Sequence, residues 1–128
     1  RFETQIDRPV AEIMTKDGLV TVPIGTTLDQ AREMFHRHKV EKLLGELLAA
    51  ELPKITWTPP QASYLAWLDC SALTLGDNPA EAFLARGRVA LSPGLDYGRE
   101  GAGFVRLNFG TSAEHLTESV RRMARAIS

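Results

Sequence analysis

The chain has 128 residues, 44% of them hydrophobic and 24% charged, which is ordinary for one domain able to bury a single core. Lys and Arg number 15 against 16 Asp and Glu, a formal net charge of -1, which argues against a nucleic-acid partner, whose footprint is clustered positive charge. No apolar run approaches the roughly eighteen residues needed to cross a bilayer, and no signal peptide is visible, so no membrane partner is expected.

In chain order, residues 1–18 read as a polar arm with a short apolar interruption at Val10, Ile13 and Met14 and one helical turn after Pro9. Leu19–Val22 is a β-branched strand ended by Pro23 and Gly25. Thr27 and Gln30 have the spacing of a capping box, so a helix starts there and runs from Leu28 to about Leu52. Residues 54–58 alternate apolar and polar and stop at Pro59-Pro60. Residues 63–70, mostly apolar, read as a central strand. Asp77 or Asn78 caps a helix with Pro79 at its first position, over 79–87. Residues 89–91 form a short strand, 95–103 a glycine-rich loop and 104–109 another strand. Thr111 and Glu114 make a second capping box before a last helix over 112–126.

The long helical stretch changes sides. At about 100° per residue, Leu28, Ala31, Met34 and Phe35 share one face, whereas Val40, Leu43, Leu44, Leu47 and Leu48 share another roughly opposite. Either the helix breaks near His38–Val40, or it is continuous and buries opposite faces at its two ends.

The residues of 1–44, RFETQIDRPVAEIMTKDGLVTVPIGTTLDQAREMFHRHKVEKLL, resemble part of the regulatory CBS-domain pair of IMP dehydrogenase: the end of one motif and the first half of the next. The resemblance stops at Leu44, before the half that carries the family's ribose-holding residues, and it includes none of the barrel with the catalytic cysteine loop. Residues 45–128, with the stretches TPP…SYLAWLDC and GFVRLNFG, are similar to the C-terminal small domain of fold-type I pyridoxal-phosphate enzymes. The nearest group is the cystathionine β-lyase-like aminotransferases. That resemblance covers about two thirds of the chain. It implies that Arg106 holds a substrate α-carboxylate, for which a planar guanidinium suits. It also places the Schiff-base lysine in a large domain; Lys16, Lys39, Lys42 and Lys54 occur in no matching context. The two resemblances meet at Leu44–Gly45, near the change of helical face, and together they point to a chimera. The chain starts at Arg1 rather than Met and is expected to be cut or processed from something longer.

Each candidate site competes with a plainer reading. Arg106 is either the inherited carboxylate anchor or a strand arginine pairing with a nearby acid. His36 and His38 are two apart, whereas a helical metal pair prefers four, so no metal is expected. Cys70, the single cysteine, has no evident base and reads as a buried thiol; it excludes an internal disulfide and fits a cytoplasmic setting. Asp69 with His115 lacks a serine in a nucleophile elbow. Gly94–Gly103 does not link strand to helix as a dinucleotide loop does. Trp57 and Trp67 read as core anchors, and Arg121, Arg122 and Arg125 as cations at a helix end.

The expected fold is an α+β two-layer sandwich. A mostly antiparallel sheet of 54–58, 63–69 and 104–109, with 89–91 at an edge, is covered by helices 28–52, 79–87 and 112–126. An N-terminal CBS-like strand-helix arm adds strand 19–22 to a sheet edge or to another copy. The expected parts are 1–44 and 45–128, in one folded unit that self-associates as a homodimer, swapped through the arm and the long helix. The expected function is a non-enzymatic chimera with no catalytic residue and no cofactor, acting as scaffold or protein-binding module. The alternatives are a small-molecule module, with a carboxylate at Arg106 or a nucleotide, and a piece that completes a pyridoxal-phosphate lyase or aminotransferase.

Overall fold

Thr27 and Gln30 close the reciprocal bonds that their spacing predicts: the Gln30 N–H donates to Thr27 Oγ1 at 3.1 Å and the Thr27 N–H to Gln30 Oε1 at 3.0 Å. From this cap, α1 runs unbroken over Leu28–Glu51. The computed structural model describes residues 10–15, 18–60 and 62–128, with side chains from residue 23 onward. Contacts divide the chain into two compact units, Arg1–Lys39 and Val40–Ser128, so α1 crosses the division at the point where its apolar side changes.

In the first unit the described part of the arm is a strand. β1 (Val10–Thr15) pairs antiparallel with β2 (Gly18–Pro23), Val10 opposite Pro23 and Thr15 opposite Gly18. This corrects the helical turn expected after Pro9; of the two places expected for strand 19–22, the edge of the larger sheet is not the one it takes, and pairing with another copy is not tested by the single chain. A β-branched strand needs a partner for its backbone groups, and the nearest segment supplies it. The remainder of the arm, residues 1–9, 16 and 17, lies outside the described residues.

In the second unit, β3 (Thr56–Thr58), β4 (Leu65–Asp69), β5 (Ser92–Pro93) and β6 (Phe104–Asn108) form an antiparallel sheet ordered β3-β4-β6-β5. Two helices, α2 (Pro79–Gly87) and α3 (Ala113–Ala126), complete it. Alternation along the strands divides the sheet into two faces. Ala66, Leu68, Val105 and Leu107 point into a core with Val40, Leu44 and Leu48 of α1, Leu52 just past its end, Phe83 of α2, and Leu116, Val120 and Met123 of α3. Val40, Leu44, Leu48 and Leu52 recur every fourth position, and each fully buried side chain contributes about 1.5–3 kcal/mol.

An edge strand and a helix cap differ from the sequence expectation for local reasons, and a third cap stands where expected but is made differently. The edge strand is Ser92–Pro93 and not 89–91, because the Val89 N–H bonds back to Phe83 O and closes the end of α2, with Arg88 left-handed at φ 56°. α3 is capped by Ser112, whose Oγ accepts the His115 N–H at 3.1 Å, and not by Thr111, whose N–H is taken by Phe109 O. Asn78 holds the N-cap position of α2 with Pro79 behind it, but its side chain donates to Glu81 and does not cap the backbone.

Candidate functional site

The sheet face turned away from the helices carries a polar and aromatic set. β4 contributes Leu65, Trp67 and Asp69, β6 contributes Phe104, Arg106 and Asn108, and β3 contributes Thr56 and Thr58. The register sets Trp67 opposite Arg106 and Asp69 opposite Phe104. Trp67 and Phe104, on one diagonal of this four-residue square, stack with ring centres 5.2 Å apart and an interplanar angle of 16°. Asp69 and Arg106 occupy the other diagonal, on either side of the stacked rings.

Tyr97 completes the arrangement. It lies in a short 3-10 helix, Gly94–Tyr97, meets the edge of Trp67 at 5.9 Å, and lies under the Arg106 guanidinium, 4.9 Å from the ring centre. The loop that presents it depends on Gly94 and Gly101, whose backbones touch. A Cβ on Gly101 would run into Gly94 O, which no side chain could accept. The glycine-rich stretch is therefore a folded clasp that holds a tyrosine against an arginine.

Arg106 forms no ion pair among the described residues. The paired strand arginine that the sequence offered as the plainer reading is thus replaced by one stacked on Tyr97, with its hydrogen-bonding edge unused by any acid. The acid nearest in register, Asp69, turns elsewhere: its Oδ1 accepts the Ser71 N–H at 3.0 Å and the Ser71 hydroxyl at 2.6 Å. The hydroxyl bond, then the backbone bond, hold the Asp69 carboxyl below its ordinary range, so it stays ionised at neutral pH.

Trp67 is 37% exposed and belongs to this open face, which corrects its reading as a core anchor; Trp57 does pack against the core. Cys70 is buried, and burial first, with the Asp69 charge second, pushes its thiol up to about 12. Asp69 and His115 are not brought together. The aspartate is on the open face, and His115 stands on α3, in the helical layer across the sheet. Arg122 and Arg125 converge on Glu118 at 2.9 and 3.3 Å. Among the described residues no group of three or more His, Cys, Asp or Glu could hold a metal ion. The sequence reading passed over Tyr97 and Phe104; the alternation of VRL after Phe104 was the available signal for the latter.

An antiparallel sheet with helices on one face and an arginine on the other has the form of the small domain of pyridoxal-phosphate aminotransferases, and this chain resembles it. No family model matches the chain. It is similar to cystathionine β-lyase PatB of Bacillus subtilis, 44% identical over 93 residues that make up 70% of this chain and 24% of that protein. The solved structure of a putative PLP-dependent β-cystathionase from Corynebacterium diphtheriae is 37% identical, with a TM-score of 0.71, over 77% of this chain and 26% of that one. A separate segment is similar to inosine-5'-monophosphate dehydrogenase of Helicobacter pylori, 49% identical over 43 residues, 34% of this chain and 9% of that protein. Two segments therefore match two different proteins, as in a chimera, and the chain spans about a quarter of the lyase relatives and about a tenth of the dehydrogenase.

Pyridoxal phosphate is held by enzymes through a Schiff-base lysine and a partner for its ring nitrogen. The described lysines are Lys39 and Lys42 on α1 and Lys54 ahead of β3, and none lies in the strands that form the open face. The described residues of the open face do not fit that cofactor.

Proposed function

We propose that the second unit is a carboxylate-binding module and does not turn over substrate by itself. The observation that carries this reading is Arg106, stacked on Tyr97 and without an acidic partner on an exposed sheet face. A guanidinium held over an aromatic ring has less side-chain freedom to lose and offers two parallel N–H groups to a carboxylate. One exposed pair of this kind is weak, so free carboxylates should bind at millimolar concentration or above, on the order of the affinity one such contact supports. The carboxylate could belong to a small molecule or to a protein, and the latter is the form in which the module would serve as a scaffold.

NMR titration with acetate against matched sodium chloride tests the reading. Acetate should shift the Arg106 side-chain Nε–H signal saturably, and Arg106→Gln should remove the response elsewhere on the face. Equal shifts with chloride would refute it.

The likeness of the second unit to a small domain favours one further role, completion of a pyridoxal-phosphate lyase or aminotransferase whose large domain lies outside these residues. Co-expression with a large domain of PatB type, followed by an assay for lyase activity that depends on Arg106, tests it. Self-association, expected from the sequence, is read by light scattering on the free protein.

A further inference from the structure

Beside the stacked rings, on the side away from Arg106, the open face has a recess of about 270 Å³ lined by Thr56, Trp57, Thr58, Trp67, Asp69 and Phe104. Its lining is chemically specific. Asp69 is the single charged group in it. Oδ1 of that carboxylate is taken by Ser71, whereas Oδ2 accepts no hydrogen bond among the described residues. Thr56 and Thr58 are the cross-strand neighbours of Asp69 and Trp67, so two hydroxyls stand along the same wall. The indole of Trp67 and the ring of Phe104 supply the electron-rich aromatic surface that attracts cations.

We propose that this recess binds an ammonium group, and that the face as a whole recognises a zwitterion with its ammonium at Asp69 and its carboxylate at Arg106. The second part rests on the carboxylate role proposed above for Arg106; the first part does not. Asp69 and Arg106 are diagonal neighbours across β4 and β6, whose backbones are about 7–8 Å apart in such a pair. They form no ion pair with each other, because the Trp67–Phe104 stack fills the opposite diagonal. The two charges are thereby kept apart and unneutralised, and an apolar ridge runs between them. A ligand that matches has an ammonium, a short apolar chain to lie across the rings, and a carboxylate. An ionised Asp69, anchored by Ser71, keeps its charge throughout the neutral range.

The test uses three probes on the full chain by NMR titration: n-butylammonium, acetate and 5-aminopentanoate. Butylammonium should shift signals of Thr56, Thr58 and the Trp67 indole saturably. Asp69→Asn, which keeps the bonds from Ser71, should weaken butylammonium at least tenfold. Thr58→Lys, an exposed change that places an ammonium in the recess, should block it. 5-Aminopentanoate should bind at least tenfold more tightly than either single-charge probe, and lose that advantage in Asp69→Asn. Butylammonium binding that is absent, or unchanged in Asp69→Asn and Thr58→Lys, overturns the ammonium site whatever acetate does. Butylammonium binding without any gain for 5-aminopentanoate overturns the zwitterion pairing and, if acetate also fails, the carboxylate role of Arg106 with it.

Discussion

Two glycines in helices of the second unit should respond in opposite directions to the same substitution. Gly45 lies within α1 with no left-handed torsion, and a Cβ there would meet only Trp57 Cζ2, at 3.6 Å, an ordinary van der Waals distance. Gly45→Ala therefore gains the helix-propensity difference of about 1 kcal/mol and a little contact with the indole, with nothing to displace. Gly87 ends α2, where a Cβ would stand 2.7 Å from Arg122 O and 3.2 Å from the Ala126 Cβ on α3. Neither obstacle is a flexible side-chain end, so Gly87→Ala must push α2 and α3 apart, at an overpacking cost of about 1–3 kcal/mol. For a domain of this size 1 kcal/mol moves the melting midpoint by roughly 3–5 °C. Circular-dichroism melts should show Gly45→Ala a few degrees above the parent and Gly87→Ala several degrees below it. A fall for Gly45→Ala would mean that α1 is interrupted where the two resemblances meet. No fall for Gly87→Ala would mean that α2 and α3 do not approach through that glycine.

Two further outcomes follow from local chemistry. Ser112→Ala removes the side-chain acceptor for the His115 N–H and should cost about 1 kcal/mol in urea denaturation, whereas Thr111→Ala should cost clearly less; the reverse order would return the cap to Thr111. Cys70 keeps its proton in the fold up to about 12, while an unfolded thiol loses it near its ordinary 9.0. The folded state then holds the extra proton, so this contribution to stability is intact below pH 9 and declines as pH rises from about 9 toward 12. Cys70→Ala should flatten that alkaline decline in a series of melts; an unchanged slope would show that the decline has another source.

Much of the framework was legible because it is local. The Thr27–Gln30 box, Pro79 at the start of α2 and the alternation of FVRLN each encode an element within a few residues of itself. The change of apolar side in α1 was legible too, and the division of the chain at Lys39–Val40 falls where it occurs. What alternation could not say was whether the helix survived it. Leu44 and Leu48, each almost fully buried, offer more on packing than Gly45 costs, so the helix continues. The misplaced edge strand has a different origin. Val89 is β-branched, yet its N–H closes α2 onto Phe83, and a helix end takes precedence over strand propensity in a segment with only Ser92 and Pro93 left to pair.

The candidate site was half legible, and the missing half is a matter of register. Alternation puts Arg106 on the opposite face from Val105 and Leu107, and a slip of one residue would bury the guanidinium and expose both apolar chains. The same logic sends Trp67 and Asp69 to the face opposite Ala66 and Leu68, against the reading of Trp67 as core. No periodicity says which acid meets Arg106. That depends on the pairing of Trp67 with Arg106 and of Asp69 with Phe104, which makes the aromatic residues one diagonal and the charges the other. Had β4 and β6 been offset by two residues, Asp69 would face Arg106 directly and the two would neutralise each other. The observed register instead leaves both charges available, one held by Tyr97 and the other by Ser71, with an aromatic ridge between them.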